Sequence, residues 1–126
     1  MTTSTYIYYT WNDVGVGIEE LVRKIELSKI KFTGVYGIPR GGLLLAIILS
    51  HKLNLPLVFK PKKDVLVVDD ISDTGKTLKK YKNYKIACLF STPYTKVVPD
   101  WYVYTKYDKD SWTIFPWEND KYEKWN

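Results

Sequence analysis

The run Val65-Leu66-Val67-Val68-Asp69-Asp70-Ile71-Ser72-Asp73-Thr74-Gly75-Lys76-Thr77 gathers the side chains of this chain best able to do chemistry. Residues 65–68 are all branched and apolar, the composition of a strand buried on both faces inside a parallel sheet. That strand leads into two adjacent carboxylates, Asp69 and Asp70, and then into a loop, Asp73-Thr74-Gly75-Lys76-Thr77. In open α/β sheets, ligands bind just past the carboxyl ends of the strands. A loop of this kind can turn successive backbone N–H groups toward a phosphate, with the Thr74 and Thr77 hydroxyls as further donors. Carboxylates beside a phosphate cradle repel the anion unless a divalent cation or sugar hydroxyls lie between them. The pattern therefore asks for a ligand that brings a phosphate, a polyol and a metal.

Phosphoribosyl pyrophosphate (PRPP) with Mg2+ supplies all three. A Walker A loop competes, because Gly75-Lys76-Thr77 ends like one, but that motif needs a glycine where Asp70 stands. A carboxylate there would face the polyphosphate. A solvated turn is the plainer alternative, since turns favour Asp, Thr and Gly. It leaves unexplained a buried strand that ends in paired carboxylates.

The elements that position these residues follow from periodicity. Residues 5–9 are β-prone and read as a short edge strand. Thr10 and Asp13 resemble a capping box opening a helix over 12–27, weakened at its start by Gly15 and Gly17. Strands are expected at 32–37, 56–59, 64–69, 84–90 and 101–104, and helices at 41–53 and 75–82. Strands alternating with helices imply an α/β fold with an open, mainly parallel sheet flanked by helices.

At 126 residues the chain is expected to form a single domain, 1–126. Its formal charge of +5 and pI near 9.1 suit an anionic ligand, and would equally suit RNA or DNA. The one cysteine, Cys88, excludes an internal disulfide, fits a cytoplasmic protein, and lies in an apolar run where a buried hydrophobe is expected. His51 reads as a helix-surface residue. The apolar run 43–49 is too short to span a bilayer, and the amino terminus lacks the pattern of a signal peptide.

The segment from Asp69 to Thr77 resembles the PRPP-binding signature of the type I phosphoribosyltransferases. Tyr36-Gly37-Ile38-Pro39-Arg40-Gly41-Gly42 looks like that family's pyrophosphate loop, a strand end turning through Arg-Gly-Gly into a helix. Within the family, Thr10-Trp11-Asn12-Asp13 and Asp110-Ser111-Trp112-Thr113-Ile114-Phe115-Pro116-Trp117-Glu118 resemble the xanthine-guanine enzymes, the latter as their carboxyl-terminal hood over about 105–120. The resemblance implies transfer of the phosphoribosyl group from PRPP to a purine base with release of pyrophosphate. It implies Mg2+ held at Asp69 and Asp70, Asp73 as the general acid/base, and the 5′-phosphate held by Asp73, Thr74, Gly75, Lys76 and Thr77. It further implies pyrophosphate contacts at Pro39, Arg40 and Gly41, base contacts at Thr92, Trp112 and Thr113, and a homo-oligomer, dimer or tetramer. Neither a nucleic acid nor a membrane is the expected partner.

The chain departs from the family in two places. Thr92 stands where the subfamily's lysine contacts the purine 6-oxo group, with Lys96 four residues on as another cation. Only Lys60-Pro61-Lys62-Lys63 stands where family members carry a long lid loop. These departures keep two other readings open: a PRPP- or nucleotide-binding protein with little transferase activity, and an RNA-binding regulator on the same fold.

Overall fold

The computed structural model describes residues 5–107 and 109–118. Strand β1 (Thr5–Tyr8), helix α1 (Trp11–Leu27), strand β2 (Gly34–Gly37) and helix α2 (Gly41–Leu53) come first. Strands β3 (Leu57–Val58) and β4 (Val65–Ser72) follow, then a 3₁₀ turn over Leu78–Tyr81. Strands β5 (Lys85–Ser91), β6 (Tyr104–Thr105) and β7 (Ser111–Ile114) complete the described elements. Five strands form a parallel sheet in the order β3-β2-β4-β5-β6. All their carboxyl ends therefore meet along one edge.

Side-chain alternation sorts the core into two layers. Val35, Leu66, Val68, Ala87 and Leu89 face α1 and α2, where Ile18, Leu21, Leu45 and Leu49 complete a buried cluster. Tyr36, Val65, Val67, Ile86 and Cys88 face the opposite way, under Leu78 and Tyr81 of the 3₁₀ turn. Among the described residues, both α-helices thus lie on one face, and the other is covered by the 3₁₀ turn with Tyr84 and Val97 packed beside it.

The capping box forms: Thr10 Oγ1 accepts from the Asp13 N–H at 3.0 Å, and the Thr10 N–H donates to Asp13 Oδ2 at 2.8 Å. Helix α1 is not interrupted at its glycines. A Cβ on Gly17 would come within 2.8 Å of Leu89 and of Tyr104, so the missing side chain lets the helix settle on the sheet. Helix α2 is apolar all round yet buried on one side, along Gly42, Leu45, Ala46 and Leu49, while Ile47 is exposed.

Three expectations are corrected. The helix over 75–82 shrinks to the 3₁₀ turn, because Gly75 adopts φ 89°, a left-handed conformation no helix can carry. Strand β4 runs on to Ser72, because pairing of Ile71 with Phe90 and Ser72 with Ser91 extends the ladder past the carboxylates. The strand at 101–104 is reduced to β6 and a lone bridge between Trp101 and Ala87. The short edge strand expected at 5–9 forms as β1, and its partner is β7, paired in parallel with Thr5 opposite Ser111 and Tyr8 opposite Ile114. The hood is therefore built from both ends of the described chain. Cys88 is buried, with burial pushing its thiol well up, and His51 is exposed.

Candidate functional site

Strand β4 delivers two carboxylates to the carboxyl edge of the sheet. Asp69 shares the side of Val65 and Val67, pairs in register with Cys88 and is 7% exposed. Asp70 turns to the side of Leu66 and Val68, toward the start of α2. Burial first, and the adjacent Asp70 charge second, push the Asp69 carboxyl up to about 8. Burial also raises Asp70. Two half-desolvated carboxylates one residue apart are a poor place for two negative charges and a good one for a cation.

The first turn of α2 is pressed against this pair. A Cβ on Gly41 would lie 2.5 Å from Asp70 Oδ2, and one on Gly42 would collide with the Val68 carbonyl. Glycine is required at both positions because the Pro39-Arg40-Gly41 turn has to lie directly against β4. Pro39 and Arg40 themselves are exposed beside it, with the guanidinium free of any cap bond to α2.

Past Ser72 the chain turns through a cleft of about 190 Å³ lined by residues 69–78. Gly75 makes the turn possible on two counts: its φ of 89°, and a Cβ there would sit 2.7 Å from the Val97 N–H nitrogen. The segment after β5 braces this loop. Lys96 N–H donates to the Thr74 carbonyl at 2.9 Å, and Thr92 N–H to the Ser72 carbonyl at 3.1 Å. The Ser72 hydroxyl donates to the Val97 carbonyl at 2.7 Å and lies 2.8 Å from Thr95 Oγ1. The Thr92 hydroxyl donates to the Asp73 carbonyl, and the Tyr94 hydroxyl to Asp73 Oδ1 at 2.8 Å. Asp73, Thr74, Lys76 and Thr77 remain exposed on the rim.

The structure thus brings together Gly41, Asp69, Asp70 and the Asp73–Thr77 loop. The hood reaches them indirectly, through Lys109, whose Nζ lies 4.5 Å from the centre of the Tyr94 ring. Of the two hood tryptophans, Trp117 stacks on Phe115 at 4.7 Å and packs on the core, whereas Trp112 is 55% exposed. Thr113 is half-buried, and Thr92 is 3% exposed. Glu118 accepts from the Phe115 N–H at 2.9 Å; burial raises its carboxyl, and the Asp70 charge adds to that shift. Sequence reasoning missed Ser72 and Tyr94, whose partners lie 25 and 21 residues away in the chain and leave no local signal.

The donor set suits a hard cation. Oxygen ligands and a surplus of negative charge match Mg2+, which takes one or two carboxylates and completes its shell with waters and substrate phosphates. Among the described residues no group of three or more His, Cys, Asp or Glu side chains forms a cage, so Asp69 and Asp70 would hold the ion together with a ligand.

No protein-family model matches the chain. It is 31% identical over 121 residues to the xanthine-guanine phosphoribosyltransferase of Desulfotalea psychrophila, covering 75% of each chain. The chain belongs to the type I phosphoribosyltransferases. Among solved structures it is similar to a purine phosphoribosyltransferase from Pyrococcus horikoshii, with 35% identity, a TM-score of 0.77, and coverage of 90% of this chain and 95% of that one. The Helicobacter pylori xanthine-guanine-hypoxanthine phosphoribosyltransferase shares the fold at 23% identity and a TM-score of 0.79, covering 96% of this chain and 99% of that one. Membership of this family of transferases accounts for the parallel sheet flanked by helices. No helix among the described residues is long and apolar enough to cross a membrane.

Proposed function

We propose that this protein transfers the phosphoribosyl group of PRPP to a purine base. The observation that carries the reading is the junction at the sheet edge. The glycine turn of α2 lies against Asp70, and Asp70 opens the same cleft that ends in the Gly75 loop. A ligand with pyrophosphate at one end and a 5′-phosphate at the other matches two glycine turns separated by paired carboxylates. The curated relative and the Pyrococcus neighbour support the purine as acceptor.

In this reading the Asp73–Thr77 loop holds the 5′-phosphate with its amides and the Thr74 and Thr77 hydroxyls. Arg40, with the Pro39–Gly41 backbone, holds the pyrophosphate as a forked cation. Asp69 and Asp70 hold the ribose hydroxyls and Mg2+, and the bound ion supplies neutralisation of the leaving pyrophosphate. A ring nitrogen of the base bonds to C1 of the ribose as the C1–O bond to pyrophosphate breaks. The Asp73 carboxylate takes the proton released from that base. Trp112 offers its exposed indole face to the purine, with Thr113 alongside.

Thr92 serves the site through the loop. A 6-oxo group needs a donor, and the Thr92 hydroxyl proton is directed to the Asp73 carbonyl. Discrimination between 6-oxo and 6-amino purines is accordingly weak. The link 59–64 stays short and exposed, so it cannot cover a bound PRPP. Guanine, xanthine, hypoxanthine, adenine and uracil incubated with PRPP and Mg2+ test the reading. Nucleotide formation from a purine is expected. PRPP binding with no product from any base would leave a nucleotide-binding protein instead.

A further inference from the structure

We infer that Tyr94 is a positioning residue that holds the Asp73 carboxylate for proton transfer, and that the hood controls this contact through Lys109. The inference rests on the reading of Asp73 as the acid/base. Asp73 lies on an exposed loop, where a free carboxylate would rotate and offer either oxygen to solvent. The Tyr94 hydroxyl donates to Oδ1 at 2.8 Å, which fixes the rotamer and leaves Oδ2 as the proton acceptor. A phenol suits this role because it is rigid, donates one hydrogen bond, and brings no charge that would compete with a phosphate.

The backbone that carries Tyr94 is anchored without its hydroxyl. Thr92 N–H to Ser72, the Thr92 hydroxyl to Asp73, and Lys96 N–H to Thr74 tie the segment to the loop on both sides of residue 94. The Tyr94 bond is therefore an addition to a loop already braced, and its removal leaves the fold intact. Lys109 places its ammonium 4.5 Å from the centre of the Tyr94 ring, a cation–π contact. Lys109 precedes β7, the strand that bears Trp112. A base seated against the hood would thus meet an Asp73 set by the same segment. With only the short link 59–64 between β3 and β4, this relay couples the hood to the acid/base.

The experiment is a double-mutant cycle of Tyr94→Phe and Asp73→Asn, with guanine and PRPP·Mg2+ as substrates and calorimetry for PRPP affinity. Tyr94→Phe should lower kcat about 10-fold, the scale for losing one hydrogen bond to a charged group, with PRPP affinity unchanged. In the Asp73→Asn background the same change should have no further effect on kcat, since the amide still accepts the Tyr94 bond but no proton-accepting carboxylate is left to position. Lys109→Met should show a smaller fall in kcat in the wild-type background and none beside Tyr94→Phe. An unchanged kcat in Tyr94→Phe, or fully additive losses in the cycle, overturns the positioning role while leaving Asp73 in place. Normal turnover in Asp73→Asn, or no transfer to any purine by the wild-type protein, overturns the reading on which it rests.

Discussion

The two ends of the parallel sheet make a controlled contrast. At the amino end, the loops entering β2, β4 and β5 border a cavity of about 520 Å³ with Lys31, Lys63, Lys85, Phe32 and Tyr84 in its wall. At the carboxyl end the cleft is about 190 Å³. The larger cavity looks the better anion site by charge, but its loops bond to one another. Thr33 N–H donates to the Asp64 carbonyl at 2.9 Å, the Thr33 hydroxyl to the Lys63 carbonyl at 3.0 Å, and Lys85 lies 3.7 Å from Asp100. The smaller cleft has a glycine turn at left-handed φ, a second glycine turn pressed on a carboxylate, and two acids that burial keeps from ionising freely. On the proposed reading, chemistry follows the turned backbone and the paired carboxylates, and neither volume nor net charge locates it.

The largest effect should come from the exposed acid of the carboxyl end. Asp73→Asn is expected to lower kcat by about 10²–10⁴-fold with near-normal PRPP affinity, the usual range for a general acid/base. A large loss of PRPP affinity, measured by calorimetry, would move Asp73 into the phosphate cradle.

Next come the two hood tryptophans, which separate recognition from packing. Trp112→Ala should weaken purine nucleotide binding by about 1–3 kcal/mol, as loss of base stacking does, with little change in melting temperature. Trp117→Ala should do the reverse, costing about 2 kcal/mol or more of stability because it removes an aromatic stacked on the core. Fluorescence titration and thermal melts on both variants check the pair. A stable Trp112→Ala protein with unchanged affinity would remove the base from the hood.

Gly75→Ala is expected to cost about 1–3 kcal/mol of stability through its left-handed φ, and to weaken PRPP binding because the new Cβ displaces the 96–97 backbone. Normal affinity in that variant would mean the phosphate is held elsewhere.

The carboxylate pair predicts a pH effect of definite sign. Asp69 rises from 3.8 to about 8 in the folded protein, so folding binds a proton between those values. The associated stability is fully present below pH 3.8 and is lost as pH climbs through about 8. Without Mg2+, melting temperature should therefore decline from pH 5 to pH 9, and Asp69→Asn should flatten the decline. Mg2+ with PRPP should offset it by favouring the ionised pair. A metal-free protein whose melting temperature rises over that range would contradict the assignment.

The smallest effects belong to the amino end. Lys31→Ala and Lys63→Ala should leave stability within about 0.5 kcal/mol, as for other surface changes, and kcat/KM within about 2-fold. A tenfold fall in either would break the contrast and make the larger cavity part of the function.

Much of the carboxyl end was legible in the chain itself. The branched run 65–68, the acids after it and the glycines at 41, 42 and 75 each act through local rules, of burial on both faces or of backbone approach. The capping box at Thr10 and Asp13 and the bounds of α2 were legible for the same reason. The helix expected at 75–82 failed because its pattern cannot report the left-handed turn at Gly75, which is set by the backbone of 96–97 packed against it. Strand β1 was legible as a short strand, but its partner β7, about a hundred residues on, was not, because a local pattern names no partner.

Local rules alone imply a parallel α/β sheet whose central strand carries two acids into a glycine loop. Local composition suffices for that, because strand burial, turn conformation and helix caps each depend on residues within a few positions. Long-range packing sets the rest: the Thr92 hydroxyl supports the loop, Tyr94 bonds to Asp73, and Trp117 packs while Trp112 stays open. Those outcomes depend on which segments meet after folding, and hydrogen bonds between residues 19 to 21 positions apart follow from strand order, which no short window of sequence contains.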